Sequence, residues 1–136
     1  MVLLDTCAII WMVEDAPLDG MARATIRRAA SSHSVLVSPV SAWEIGLLAN
    51  RASAGFSFCP SPVLWFKALL AKPGIHLTPL APDAAVEAAA LPGTLHRDPA
   101  DRLLIATARD LGVPLVTRDT RILAYAAQGH LHAIPC

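Results

Sequence analysis

Short apolar runs of strand length recur along the chain at Val2–Leu4, Val35–Val37, Ile75–Leu80, Pro114–Thr117 and Leu131–Ile134. Between them, apolar residues return every three or four positions, the period of a helix with one buried face. This spacing predicts helices over 6–14, 19–31, 39–51, 61–71, 81–91, 98–111 and 119–128, with Gly74, Gly93, Gly112 and Gly129 following four of them as stop signals. Strands that alternate with helices and read as continuous apolar runs imply an α/β fold whose central, mainly parallel sheet is covered on both faces. Ligands of such folds bind beyond the carboxyl ends of the strands. Asp5 and Asp119 fall at or just past two of those ends. The stretch Ala52–Pro60, with its serines, glycine and Phe56, is the least regular part and reads as a mobile loop.

Composition narrows the picture. The 136 residues suit a single domain, 1–136. Hydrophobic residues form 54% of the chain and mean hydropathy is +0.49, more apolar material than one small core uses, so a second subunit or a partner is expected to cover some of it. No uncharged apolar run approaches the roughly 18 residues of a spanning helix, so no membrane association is expected. The first apolar run is broken at once by Asp5, unlike a secretory signal. Cys7, Cys59 and Cys136 are odd in number and scattered, which fits neither a disulfide framework nor a zinc site and points to a reducing cytoplasm. Eleven basic and eleven acidic residues cancel, so a polyanion would have to be held by local charge.

Five carboxylates carry the candidate chemistry. Asp5 and Asp119 each precede a helix, where an aspartate also serves as a cap. In Asp98-Pro99-Ala100-Asp101, Asp98 reads as a cap and Pro99 as the first helical residue. Asp101 shares a face with Leu104, Ile105 and Ala108, a poor place for a merely solvated acid. Glu44 discriminates best, because it lies mid-helix in line with Val40, Leu47 and Leu48 and has no lysine or arginine three or four positions away. A half-buried carboxylate there must be protonated, paired with a base or bound to metal, and metal resolves it most simply. Like-charged oxygens gathered at one sheet edge suit a hard divalent cation.

In order along the chain, Leu3-Leu4-Asp5-Thr6, Ser41-Ala42-Trp43-Glu44-Ile45, His96-Arg97-Asp98-Pro99-Ala100-Asp101-Arg102-Leu103-Leu104-Ile105-Ala106 and Leu115-Val116-Thr117-Arg118-Asp119 resemble the PIN-domain family, most closely the VapC-type toxin ribonucleases of type II toxin–antitoxin pairs. The resemblance implies a three-layer α/β/α fold and a metal-dependent endoribonuclease site using Mg²⁺ or Mn²⁺. By matching motif positions it implies Asp5, Glu44, Asp101 and Asp119 as catalytic metal-site acids, supported by Asp98, Thr6 and Thr117. It also implies a homodimer and a small antitoxin that wraps an apolar groove. One departure is Ala100, where relatives often carry a bulky aromatic.

Oxygen ligands favour Mg²⁺ or Mn²⁺ over zinc, and such an ion activates water against a phosphodiester. Arg97, Arg102, Arg118 and Arg121 flank the acids, and the first three are candidate RNA contacts, each also readable as solvated helix surface. His96 reads as a loop residue or an RNA contact, and Trp11 and Trp43 as core, interface or base-stacking residues. Trp11 and Met12, Leu47 and Leu48, and Trp65 and Phe66 are candidate partner-facing residues that also suit a core. Three alternatives stand beside the toxin reading: a PIN nuclease of RNA processing, a catalytically silent PIN-like binding module, and a phosphotransfer domain with Asp5 as nucleophile. The last requires a second acid two positions on, where this chain has Cys7.

Overall fold

The computed structural model describes residues 1–51 and 57–136, so part of the expected 52–60 loop lies outside the described residues. Five strands, β1 (Val2–Leu4), β2 (Val35–Val37), β3 (Ile75–Leu77), β4 (Leu115–Thr117) and β5 (Ala133–Pro135), form one sheet in the order β3-β2-β1-β4-β5. Every pairing is parallel. The connecting helices are α1 (Thr6–Val13), α2 (Gly20–Ser31), α3 (Pro39–Ala49), α4 (Pro62–Leu70), α5 (Pro82–Ala89), α6 (Pro99–Leu111) and α7 (Thr120–Ala127).

Successive residues of a strand point to opposite faces, and the core divides accordingly. Val2, Leu4, Val35, Val37 and Val116 pack with Ile9, Ile26, Ile45, Phe66 and Leu69 from α1 to α4. Leu3, Leu36 and Leu115 pack on the other face with Ala88, Ile105, Ile122 and Tyr125 from α5 to α7. The result is three layers, α/β/α. Leu3, Leu4 and Leu115 have no measurable exposure, and each such side chain contributes roughly 1.5–3 kcal/mol of burial.

Strand β3 is shorter than the Ile75–Leu80 run suggests. The amide of Thr78 still donates to Val37 O at 2.9 Å, but Pro79 has no N–H with which to continue the ladder. Leu80 instead leaves the sheet and packs against a small cluster of Val40, Ala100 and Leu104. Ala100, at the family's aromatic position, is 3% exposed there, leaving no room for a ring without rearrangement.

The chain runs from β1 outward to β3, then returns to the other side of β1 as β4 and continues to β5. Strands β1 and β4 therefore flank the point where strand order reverses, the place where open α/β sheets form their ligand crevice beyond the carboxyl ends of the strands. Three helices begin at that edge, α1, α6 and α7, each capped by an aspartate.

Candidate active site

Three of the five candidate acids, Asp5, Asp98 and Asp119, are also helix caps. Asp5 accepts from the Ala8 amide at 2.7 Å, Asp98 from the amides of Ala100 and Asp101 at 3.0 and 3.2 Å, and Asp119 from Arg121 and Ile122 at 2.7 and 3.3 Å. Capping and chemistry are not alternatives here. Unpaired amides and the positive ends of three helix dipoles offset part of the repulsion that gathering carboxylates creates.

Two threonines fix one further oxygen each, on Asp5 and on Glu44. Thr117, fully buried at the end of β4, donates its hydroxyl to Asp5 Oδ2 and accepts the Asp119 amide at 3.1 Å, so one hydroxyl ties two acids. Thr6 donates to Glu44 across from α1 to α3 and lies 3.0 Å from the buried hydroxyl of Ser41. Glu44 thus has a hydroxyl partner, a solution beyond the protonated, base-paired and metal-bound states considered from sequence. Ser41, one helical turn before Glu44, is a supporting group whose position carries a sequence signal only once Glu44 is suspected.

The four acids feel one another. Burial pushes Asp5 up to about 6, with Asp101 and Asp119 adding repulsion against the bonds from Thr117 and Ala8. Burial likewise pushes Glu44 up to about 7, reinforced by Asp101, Asp98 and Asp5. Asp101 is raised by burial and by Asp98 and Asp119, while its bond to His96 pulls the other way. Asp119 is lowered, chiefly by its bond to Arg121. The clearest sign of convergence is Cys7, whose thiol is pushed up to about 12 by loss of hydration and then by Asp5, Glu44, Asp101 and Asp119 together. Cys7 is exposed two residues past Asp5, and nothing in its sequence context marks it.

His96 belongs to the site. Its Nε2 is 2.5 Å from Asp101 Oδ2, and since an ionised carboxylate cannot donate, Nε2 then carries the proton. Its Nδ1 is buried and has no partner among the described residues, which costs less as a bare lone pair than as an orphaned N–H.

Could this donor set hold a cation? Among the described residues, no three His, Cys, Asp or Glu side chains are arranged to ligate one ion in common as they stand. The chemistry of the set nonetheless fits Mg²⁺ or Mn²⁺. All donors are carboxylate oxygens under mutual repulsion, and Mg²⁺ takes one or two carboxylates directly while keeping several waters that reach the rest. Asp5, Glu44, Asp101 and Asp119 are the groups that would hold it.

The flanking arginines divide. Arg102 gives Nε to Ala88 O at 2.7 Å, Nη1 to His96 O at 3.1 Å and Nη2 to Ala89 O at 3.4 Å, so it caps the carboxyl end of α5 and holds the His96 loop. Arg118 lies 3.7 Å from the centroid of the Trp11 ring and donates to Cys136 O and Pro17 O at 2.8 and 3.1 Å. Arg97 is exposed and Arg121 reaches the acids. Replacing Arg102 by alanine should therefore cost about 1–3 kcal/mol in chemical denaturation by orphaning carbonyls, with an unaltered salt slope of RNA binding. A slope reduced by about one would instead make Arg102 a phosphate contact. Of the tryptophans, Trp43 is 55% exposed, whereas Trp65 packs edge-on to Phe58 at 5.1 Å.

Comparison with known proteins agrees with this architecture. A PIN domain model matches residues 2–128. The chain is 33% identical over 135 residues to Ribonuclease VapC22 of Mycobacterium tuberculosis, covering 98% of this chain and 95% of that protein. Its fold resembles VapBC2 of Rickettsia felis bound to a promoter DNA fragment, with TM-score 0.69, 12% identity and coverage of 99% and 98% of the two chains. It also resembles VapBC-5 of Mycobacterium tuberculosis, a member of the VapBC family of toxin-antitoxin systems, with TM-score 0.58, 18% identity and coverage of 98% and 97%. With its parallel sheet and the matched 2–128 span, the chain belongs to the PIN-domain family, among its VapC-type members.

Proposed function

We propose that this protein is a Mg²⁺- or Mn²⁺-dependent endoribonuclease and the toxin of a toxin–antitoxin pair. The observation that carries the reading is the bonding of Asp5, Glu44, Asp101 and Asp119 at the sheet's reversal point: Thr117 joins Asp5 to Asp119, Arg121 joins Asp119 to Asp101, and Thr6, next to Asp5, holds Glu44. Its likeness to Ribonuclease VapC22 supports the choice of RNA as substrate.

When bound, a divalent ion lowers the pKa of a coordinated water and offsets charge growing on the phosphate. The protein's part is orientation. Thr117 and the Ala8 amide fix both oxygens of Asp5, Thr6 fixes Glu44, and His96 fixes Asp101, so these three acids are preset to hold the ion directly or through water. Asp119, whose pKa is lowered chiefly by Arg121 in the metal-free protein, would orient a further water.

For the antitoxin, α3 and α4 offer an apolar groove of about 300 Å³ lined by Ala42, Gly46, Pro62, Val63, Phe66 and Lys67. Trp43, Leu47, Val63 and Leu64 are exposed on the same two helices, apolar surface of the kind that an antitoxin segment or a second copy covers. Gly46 forms part of this lining at a helical position where glycine weakens the helix, and an added Cβ would meet nothing within 4 Å. Gly46→Ala should therefore stabilise the isolated protein by about 0.5–1 kcal/mol. An unmoved denaturation midpoint would mean that the site is not open.

The test of function is incubation of purified protein with structured RNAs, in EDTA and with Mg²⁺ or Mn²⁺ restored. Cuts that depend on the added ion are expected. Cutting that persists under chelation would refute the metal mechanism, and no cutting of any RNA would favour a silent binding module.

A further inference from the structure

The acid crevice already contains a cation of its own. Arg121 stands in the first turn of α7 with its side chain 56% exposed, and its Nη2 lies 2.8 Å from Asp119 Oδ2 and 3.4 Å from Asp101 Oδ2. Its Nε adds contacts of 3.3 Å to both oxygens of Asp119. The same Asp101 Oδ2 is taken by His96 Nε2, so that oxygen serves two basic donors at once. Arg102 and Arg118 are turned to backbone carbonyls, which leaves Arg121 as the guanidinium joining acids of two different helices.

We propose that Arg121 is an internal counter-ion of the crevice: it occupies Asp101 and Asp119 until a divalent cation, with the waters it carries, takes its place beside them, and then turns outward to an RNA phosphate. This rests on the metal-dependent reading above. An exposed ion pair is weakly held, so the exchange is easy. A guanidinium and a divalent ion at the same carboxylates repel each other, so the two compete and binding of one weakens the hold of the other. Once displaced, the planar fork of donors on a long, solvent-facing side chain suits a phosphate at the mouth of the site.

The test is a Mn²⁺ titration followed by electron paramagnetic resonance, without RNA, on wild type, Arg121→Gln and Arg121→Lys. With its competitor removed, Arg121→Gln should bind Mn²⁺ about three- to tenfold more tightly, and Arg121→Lys, which keeps the charge, should stay within about twofold of wild type. In cleavage assays at saturating Mn²⁺, the KM of Arg121→Gln for RNA should rise about threefold or more. A glutamine variant that binds Mn²⁺ no better than wild type, or that takes RNA with unaltered KM, overturns the assignment. Equal Mn²⁺ affinities would overturn this inference alone, whereas absence of Mn²⁺ binding in every protein would overturn the metal reading and the inference together. Exposure of the Arg121 side chain keeps the glutamine variant foldable.

Discussion

Asp5→Asn is expected to lower RNA cleavage by about a hundredfold or more and, in the same protein, to raise the stability of the metal-free fold. Asparagine caps a helix about as well as aspartate, so the bond from the Ala8 amide survives, whereas an NH2 replaces the oxygen that accepts from Thr117 and that hydroxyl must accept instead of donate. What disappears is a charge that burial and its neighbours Asp101 and Asp119 disfavour. The raised pKa, about 6 against 3.8, corresponds to about 3 kcal/mol as an upper bound, and an imperfectly partnered amide N–H returns some of that. A gain of about 1–2 kcal/mol at pH 7.5 is therefore expected from denaturant midpoints in EDTA. A variant that is inactive and less stable would reduce Asp5 to a structural cap.

The second large effect is a stability that falls as pH rises toward neutrality. Asp5 at about 6 and Glu44 at about 7 both lie above their unfolded values of 3.8 and 4.5, and Asp101 shifts in the same direction. Between about pH 4 and 7 the folded protein thus holds more protons than the unfolded chain, and each proton lost on raising pH costs stability. Asp119, shifted the opposite way, loses its contribution below that window and does not mask the trend. Metal-free protein should melt higher at pH 5 than at pH 7.5. Saturating Mn²⁺ should raise the pH 7.5 melting temperature by binding the ionised acids, and should do so less for Glu44→Gln. A metal-free melting temperature that climbs from pH 5 to 7.5 would contradict the shared repulsion.

Much of this architecture is legible in the residues. Strand-length apolar runs and helix spacing mark the elements to within a residue or two at most ends, because caps such as Asp98-Pro99 and stops such as Gly112 fix them locally. The acids stand out because Glu44 breaks an apolar helix pattern and Asp5 follows a strand wholly buried on both faces. Their gathering depends on strand order, which no local signal records. The arginines were less legible for a related reason: Arg102 and Arg118 donate to carbonyls 14 and 18 residues away, and backbone acceptors leave no trace in side-chain identity. The short reach of β3 was readable in Pro79. The pairing of His96 with Asp101 was not, since it spans a loop and a helix start whose relative turn only the fold sets.

All of this chemistry requires acids distant in sequence to form a single divalent-cation site. Anomalous diffraction from a crystal equilibrated with Mn²⁺ tests it most directly. A peak is expected in the crevice beyond β1 and β4, coordinated by Asp5 or Asp101 and linked through water to Glu44 and Asp119. Full Mn²⁺ occupancy elsewhere on the protein, with that crevice empty, would contradict it.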